Sequence, residues 1–298
     1  MLDTLLTPVE LLRHWLATQL TPSAWEWLED RLQLMVAGDQ RALFLNFGMT
    51  SRKTGKADLK LLPADLAAAD RVKAGWQPNN WSLDQAARSL LLLSYPADPV
   101  ASYVATLDKL FAAAEVGELV ALYQTLPLLP HPKAHIPRCA EGLRTNVKSV
   151  FTAIAHRNPY PAEYLSEAAW NQMVLKCLFV GATLAPVVAL DERANPTLAQ
   201  MLLDYAHERR AAGRAISVEL WRAMGPYAPE TAISDLQQLL TSPSPSQRQA
   251  AALTLSLSPL PSASAALANC DLLPQIESGQ LTWYLVTSAA EAENANEG

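Results

Sequence analysis

Three cysteines in 298 residues, Cys139, Cys177 and Cys270, lie far apart with no C-x-x-C pair. That spacing gives no basis for a disulfide framework or a zinc knuckle, and a reducing cytoplasm is the simplest setting. Runs of alternating β-branched residues are nearly absent, which argues against a sheet protein. Glycine is scarce, at 11 residues against 21 prolines in a chain that is half apolar. With Leu and Ala dominant, that balance predicts many short helices punctuated by proline. Basic surplus is missing too: the formal charge is -6, so no nucleic-acid partner is expected. Three of the acids, Glu291, Glu293 and Glu297, sit in a terminal stretch with the composition of a frayed tail.

Targeting signals are missing as well. The N-terminus has an acid at position 3, a helical apolar pattern and no small-residue cleavage site, so it does not read as a leader. The most membrane-like run, residues 174–190, contains Lys176, Gly181 and Pro186, whereas a span needs about 20 apolar residues. A buried helix followed by a loop is expected there, with no transmembrane segment.

What is present is helical punctuation. Thr7-Pro8 and Thr21-Pro22 each open a helix; Leu12, Trp15 and Leu16 in one, and Trp25, Leu28, Leu32 and Met35 in the other, recur at helical spacing and predict a hairpin. A helix over 39–47 then runs into MTSRKTGKADLK, expected to be an exposed flexible loop. Its RKTGK looks superficially like a phosphate-binding loop but lacks the first glycine, the following Ser/Thr and a preceding strand. Further helices are expected over 66–72, 82–93, 99–113 and 116–126. Between the first two lies GWQPNNW, whose Trp76 and Trp81 could stack on a planar ligand or close the end of a core. Ser82 and Gln85 form a capping box.

Near the C-terminus, LQQLLTSPSPSQRQAAALTLSLSP reads as a HEAT-type hairpin, which cannot bury its faces alone. LTWYLV reads as a docking segment or strand. The expected architecture is all-α, an irregular α-solenoid-like (HEAT/armadillo-like) array. It forms one elongated domain over 1–298, with N-terminal helices to 130, a central region over 131–214, C-terminal hairpins over 215–288 and a disordered tail over 289–298.

The central region concentrates polar residues. A helix over 138–156 would place Leu143, Val147, Val150, Phe151 and Ile154 on one face and Arg138, Glu141, Arg144, Thr145 and Lys148 on another. A third strip of small residues, including Cys139, Gly142 and Asn146, would let another backbone come close. Glu141 can pair with Arg144. On the helix after Asn195-Pro196, Asp204, His207 and Glu208 share a face beside Arg209. They suit orienting a substrate proton, holding a metal, or a closed salt-bridge network. The helix over 166–180 is apolar except for Asn171, Gln172 and Lys176, so it should be buried. Burial would lower the pKa of Lys176 unless its stem reaches water. His131, His135 and Cys139 are spaced four apart, but Pro132 and Pro137 interrupt the helix that would align them, so no metal is expected.

The phrases EGLRTN, NPYP, WNQMVLK and DYAHERRAAGR resemble the EboA family of bacterial proteins, the close similarity covering about the middle third of the chain. The resemblance implies a cytosolic component of an ebo gene cluster, linked to moving secondary-metabolite precursors such as the scytonemin monomer toward the periplasm. It implies as companions proteins resembling a prenyltransferase, a sugar-phosphate-type cyclase and TatD- or isomerase-like proteins. The family's polar phrases fall on Arg138, Glu141, Arg144, Asn146, Asn171, Lys176, Asp191, Arg193, Asn195, Asp204, His207, Glu208 and Arg209.

Two functions follow. One is a non-catalytic adaptor that binds other ebo-cluster proteins or a small-molecule precursor, with Arg138, Glu141, Arg144, Asn146, Asn171, Lys176, Glu208 and Arg209 as the binding surface. The other is an enzyme acting on an anionic precursor, with His207 as general base oriented by Asp204, and Lys176 and Arg144 holding substrate. Both expect the helices near 140–156, 167–180 and 196–212 to turn their polar side chains toward one interior space. No cofactor is indicated.

Overall fold

The computed structural model describes residues 7–297; the acid at position 3 and the last residue of the expected tail lie outside them. The described residues are helical throughout, with no strand beyond one isolated bridge between Asp58 and Ser82. The chain divides into two compact units, Met1–Ala169 and Trp170–Gly298.

The first unit carries α1 (Pro8–Gln19), α2 (Pro22–Val36), α3 (Gln40–Thr54), α4 (Pro63–Val72), α5 (Leu83–Leu93), α6 (Val100–Ala113), α7 (Val116–Thr125), α8 (Ile136–Arg144), α9 (Lys148–Ala155) and α10 (Tyr160–Tyr164); α11 (Glu167–Phe179) begins in it. The Thr-Pro starts behave as chemistry dictates. Thr7 accepts from the Glu10 amide while Glu10 answers the Thr7 amide, and Thr21 accepts from Ala24. The Ser82 box is half made: Gln85 Oε1 accepts from the Ser82 amide, but the Ser82 hydroxyl donates to Asp84 instead.

Helix α5 is the centre of this unit, packed by α1, α2, α3 and α7. Leu90, Leu91 and Leu92 are wholly buried, each contributing about 1.5–3 kcal/mol before the entropy of ordering is subtracted. Trp15, Trp76 and Trp81 stack in series at 5.7 and 5.9 Å beside it, so Trp76 belongs to the core.

The second unit holds α12 (Pro196–Ala211), α13 (Val218–Met224), α14 (Glu230–Leu239), α15 (Pro245–Leu257), α16 (Pro261–Leu267), α17 (Leu273–Glu277) and α18 (Trp283–Glu297). Its centre is α15, whose small Ala250, Ala251 and Ala252 are fully buried and let α13, α14, α16 and α18 approach. The α14–α15 hairpin forms where the Ser/Pro turn places it, Ser244 capping α15.

Several local expectations are corrected. MTSRKTGKADLK is not a free loop: α3 runs on to Thr54, Gly55 stops it at φ +75°, and the Leu59 amide donates to the Trp81 carbonyl and the Leu83 amide to the Ala57 carbonyl. LTWYLV enters α18 rather than a strand. That helix continues through 289–297, where a disordered tail was expected, and Glu293 takes three hydrogen bonds from Ser244 and Ser246. Helix α11 is not buried all round, since Gln172 is exposed and Phe179 is 78 % exposed.

The helix expected over 138–156 is two helices. Thr145 and Val147 adopt extended backbone, and the Thr145 hydroxyl accepts from the Val147 amide, a local bond that competes with the helix. The β-branched and Asn residues of Thr145-Asn146-Val147 have little helix propensity to resist it. Helix α9 then folds back against α8, which brings Ile154 and Tyr123 against Gly142.

Candidate functional site

The first unit contains a cleft of about 250 Å³ assembled from four separate segments: the 77–81 loop, the first turn of α5, α7, and α9 with the turn after it. Gln77, Asn80, Gln124, His156 and Arg157 supply polar groups, and Trp81 supplies an apolar wall. The lining holds a guanidinium and an imidazole and no carboxylate.

Asn158 builds the turn that aims Arg157. Its side-chain amide donates to the Tyr123 and Ala153 carbonyls, at 3.0 Å each, and its carbonyl accepts from the Tyr160 amide at 3.0 Å. Clamped this way and buried, Asn158 forces residue 157 into left-handed backbone at φ +52°, a conformation unfavourable for a long side chain. The half-buried Arg157 side chain makes no hydrogen bond or ion pair among the described residues. In the same lining, Gln124 Oε1 is buried without a hydrogen-bond partner, at a desolvation cost of about 1–3 kcal/mol. A donor-rich cation and an unsatisfied acceptor thus share one small hollow. The chemistry they complement is a small anion that also carries an N–H or O–H.

Of the residues considered for ligand contact, only Trp81 lines this cleft; none of the polar residues expected to bind or react does. Arg138, Glu141, Arg144 and Asn146 lie in the first unit. Arg138 donates to Asp108 at 2.6 Å and to Glu141 at 2.7 Å and lies over the Phe111 ring, so Glu141 pairs backwards to Arg138 and not forwards to Arg144. Arg144 and Asn146 are exposed at the end of α8. His131 and His135 fasten the Ala97 and Pro130 carbonyls, and burial pushes the Cys139 thiol up to about 12.

The remaining candidates lie in the second unit. Asn171 and Asn195 exchange amide hydrogen bonds at 3.1 and 2.9 Å, both buried, while Asn195 caps α12 through the Leu198 amide. Lys176 is half-buried, and desolvation lowers its pKa. Glu208 is exposed, and Arg209 donates twice to the Ala215 carbonyl. Asp204 does not orient His207: it accepts from Gln200, one turn back on α12. His207 instead donates to Asp235 of α14 at 2.6 Å, and Arg210 donates to the other oxygen at 2.8 Å.

Burial alone would raise the Asp235 carboxyl, but the hydrogen bonds from Arg210 and His207 outweigh it and hold the group below its ordinary range. A lowered folded pKa means that the stabilisation is complete above the ordinary carboxylate value of about 4 and fades as pH falls through the folded value. In urea titrations, Asp235→Asn should therefore be less stable than the parent at neutral pH. The two should converge in strong acid; a gap constant with pH would show that the carboxylate charge is not what holds this network.

Residues 8–225 match the family model described as "Metabolite traffic protein EboA". No curated relative and no solved structure matches the chain. No helix among the described residues is long and apolar enough to cross a membrane.

Proposed function

The chain belongs to the EboA family, and from that premise we propose that it serves metabolite traffic by binding a small anionic metabolite in the cleft of its first unit. In this reading it is an accessory of an ebo-type cluster, acting in the cytoplasm to hold a secondary-metabolite precursor during its processing or its passage toward the periplasm. The observation that carries the reading is Arg157, held in left-handed backbone by Asn158 with its guanidinium uncommitted at the cleft. Strained backbone persists where the surrounding structure over-determines it, and it clusters at ligand sites. The buried, unsatisfied oxygen of Gln124, a residue of the same lining, gives a second anchor. The hollow admits only a small molecule.

A matched pair of probes tests the charge requirement. 4-Hydroxybenzoate and 4-hydroxybenzamide have nearly the same shape and both carry a hydroxyl donor, but only the first is an anion. A hydrogen bond to a charged partner contributes about 1.5–3 kcal/mol. Calorimetry should accordingly find the benzoate bound at least about tenfold more tightly. Equal affinities, or no binding of either, would remove this reading.

A further inference from the structure

A second cleft, of about 150 Å³, opens in the first unit between α3, α5 and α7. At its base is Arg88, 3 % exposed. Its Nε donates to the Phe47 carbonyl at 3.0 Å and its Nη1 to Asp84 at 2.5 Å. The other Asp84 oxygen is taken by the Ser82 hydroxyl, so Asp84 is fully engaged. Arg88 Nη2 makes no hydrogen bond: Glu118 Oε1 stands 4.0 Å away, beyond hydrogen-bond reach. The Nη2 edge of this buried guanidinium thus has a long ion pair to Glu118 but no hydrogen bond, while its face lies 5.5 Å from the centre of the Phe47 ring. Arg52 and Lys56, both exposed, line the same space, as do Glu115 and Glu118 at the start of α7.

Counted together, Arg52, Lys56 and Arg88 balance Asp84, Glu115 and Glu118, three charges against three. A balanced lining does not select a polyanion, which would face three carboxylates, nor a bare cation, which would face three bases. It matches a ligand carrying one charge of each sign. We propose that this cleft binds a small zwitterion, a free α-amino acid being the simplest member. Its carboxylate sits on Arg88 Nη2 with Arg52 and Lys56, and its ammonium sits on Glu115 and Glu118. Gly117, the second residue of α7, keeps the entrance clear: a Cβ there would meet nothing within 4 Å.

The proposal is independent of the anion cleft and can fail without it. Amide chemical-shift titrations of the full chain should use L-alanine, with acetate, methylammonium and inorganic phosphate as separate arms. L-Alanine should shift the amides of Arg52, Arg88 and Gly117 saturably, with acetate and methylammonium each about tenfold weaker or worse. Gly117→Leu, which fills open space and replaces glycine by a better helix former, should abolish the alanine response. Arg52→Gln, at an exposed side chain, should weaken it, and Arg157→Ala should leave it intact. The proposal is overturned if alanine gives no saturable shift, if acetate or phosphate alone shifts these amides as strongly, or if both the Gly117 and Arg52 variants respond like the parent.

Discussion

Gly142→Ala should destabilise the first unit by about 1–3 kcal/mol, the usual cost of forcing a methyl into a filled core, although alanine is the better helix former by about 1 kcal/mol. A Cβ at this position would lie 2.4 Å from Ile154 Cδ1 and 2.4 Å from the Tyr123 ring. Neither neighbour has room to withdraw. Ile154 is fully buried, and Tyr123 packs on Phe111 at 4.9 Å while its carbonyl is held by Asn158. The clash must therefore be relieved by moving α8 away from α9. Urea denaturation measures the loss. A double-mutant cycle with Ile154→Val, which removes Cδ1, should recover part of it as a favourable coupling. If Gly142→Ala is as stable as the parent, the close approach of α8 to α9 and Tyr123 is wrong.

That contact also shows where sequence reasoning reached and where it stopped. Gly142 and Cys139 were legible as a strip of small residues fit for close packing, and both are buried. The break that folds α9 back was not, because a continuous helical spacing runs through 138–156 and the Thr145 hydroxyl bond that interrupts it has no counterpart in apolar periodicity. Helix starts were legible at Thr7, Thr21, Asn195 and Ser244, each of which caps a helix that opens with proline, since capping chemistry is local. Partner choice was not. Asp204 and His207 share a face by spacing, yet His207 finds a carboxylate 28 residues on, which only the packing of α14 supplies. The cleft was invisible for a related reason. Its lining carries one arginine among polar side chains, comes from four distant segments, and is organised by that left-handed arginine, a conformation that sequence announces only for glycine and asparagine. The available hints were GWQPNNW, which supplies Gln77, Asn80 and Trp81, and HRNPYP, where Asn158 clamps the turn and fixes residue 157.

Arg157 offers a test in which function and stability move apart. Arg157→Ala removes the guanidinium but keeps a side chain in left-handed backbone. Arg157→Gly removes the guanidinium and relieves the strain as well. Relief of left-handed backbone is worth about 1–2 kcal/mol, and the greater freedom of glycine in the unfolded chain takes back about 0.5–1 kcal/mol. The glycine variant should therefore melt at or above the parent's midpoint, and above the alanine variant, in thermal unfolding followed by circular dichroism. Both variants should bind 4-hydroxybenzoate about 10- to 100-fold more weakly, as loss of a charged hydrogen-bond donor requires. A natural chain that keeps arginine where glycine is at least as stable retains it for what the guanidinium does. If the alanine variant binds as the parent does, Arg157 is not the anchor. If glycine is no more stable than alanine, the turn stores no strain and Asn158 does not hold Arg157 poised.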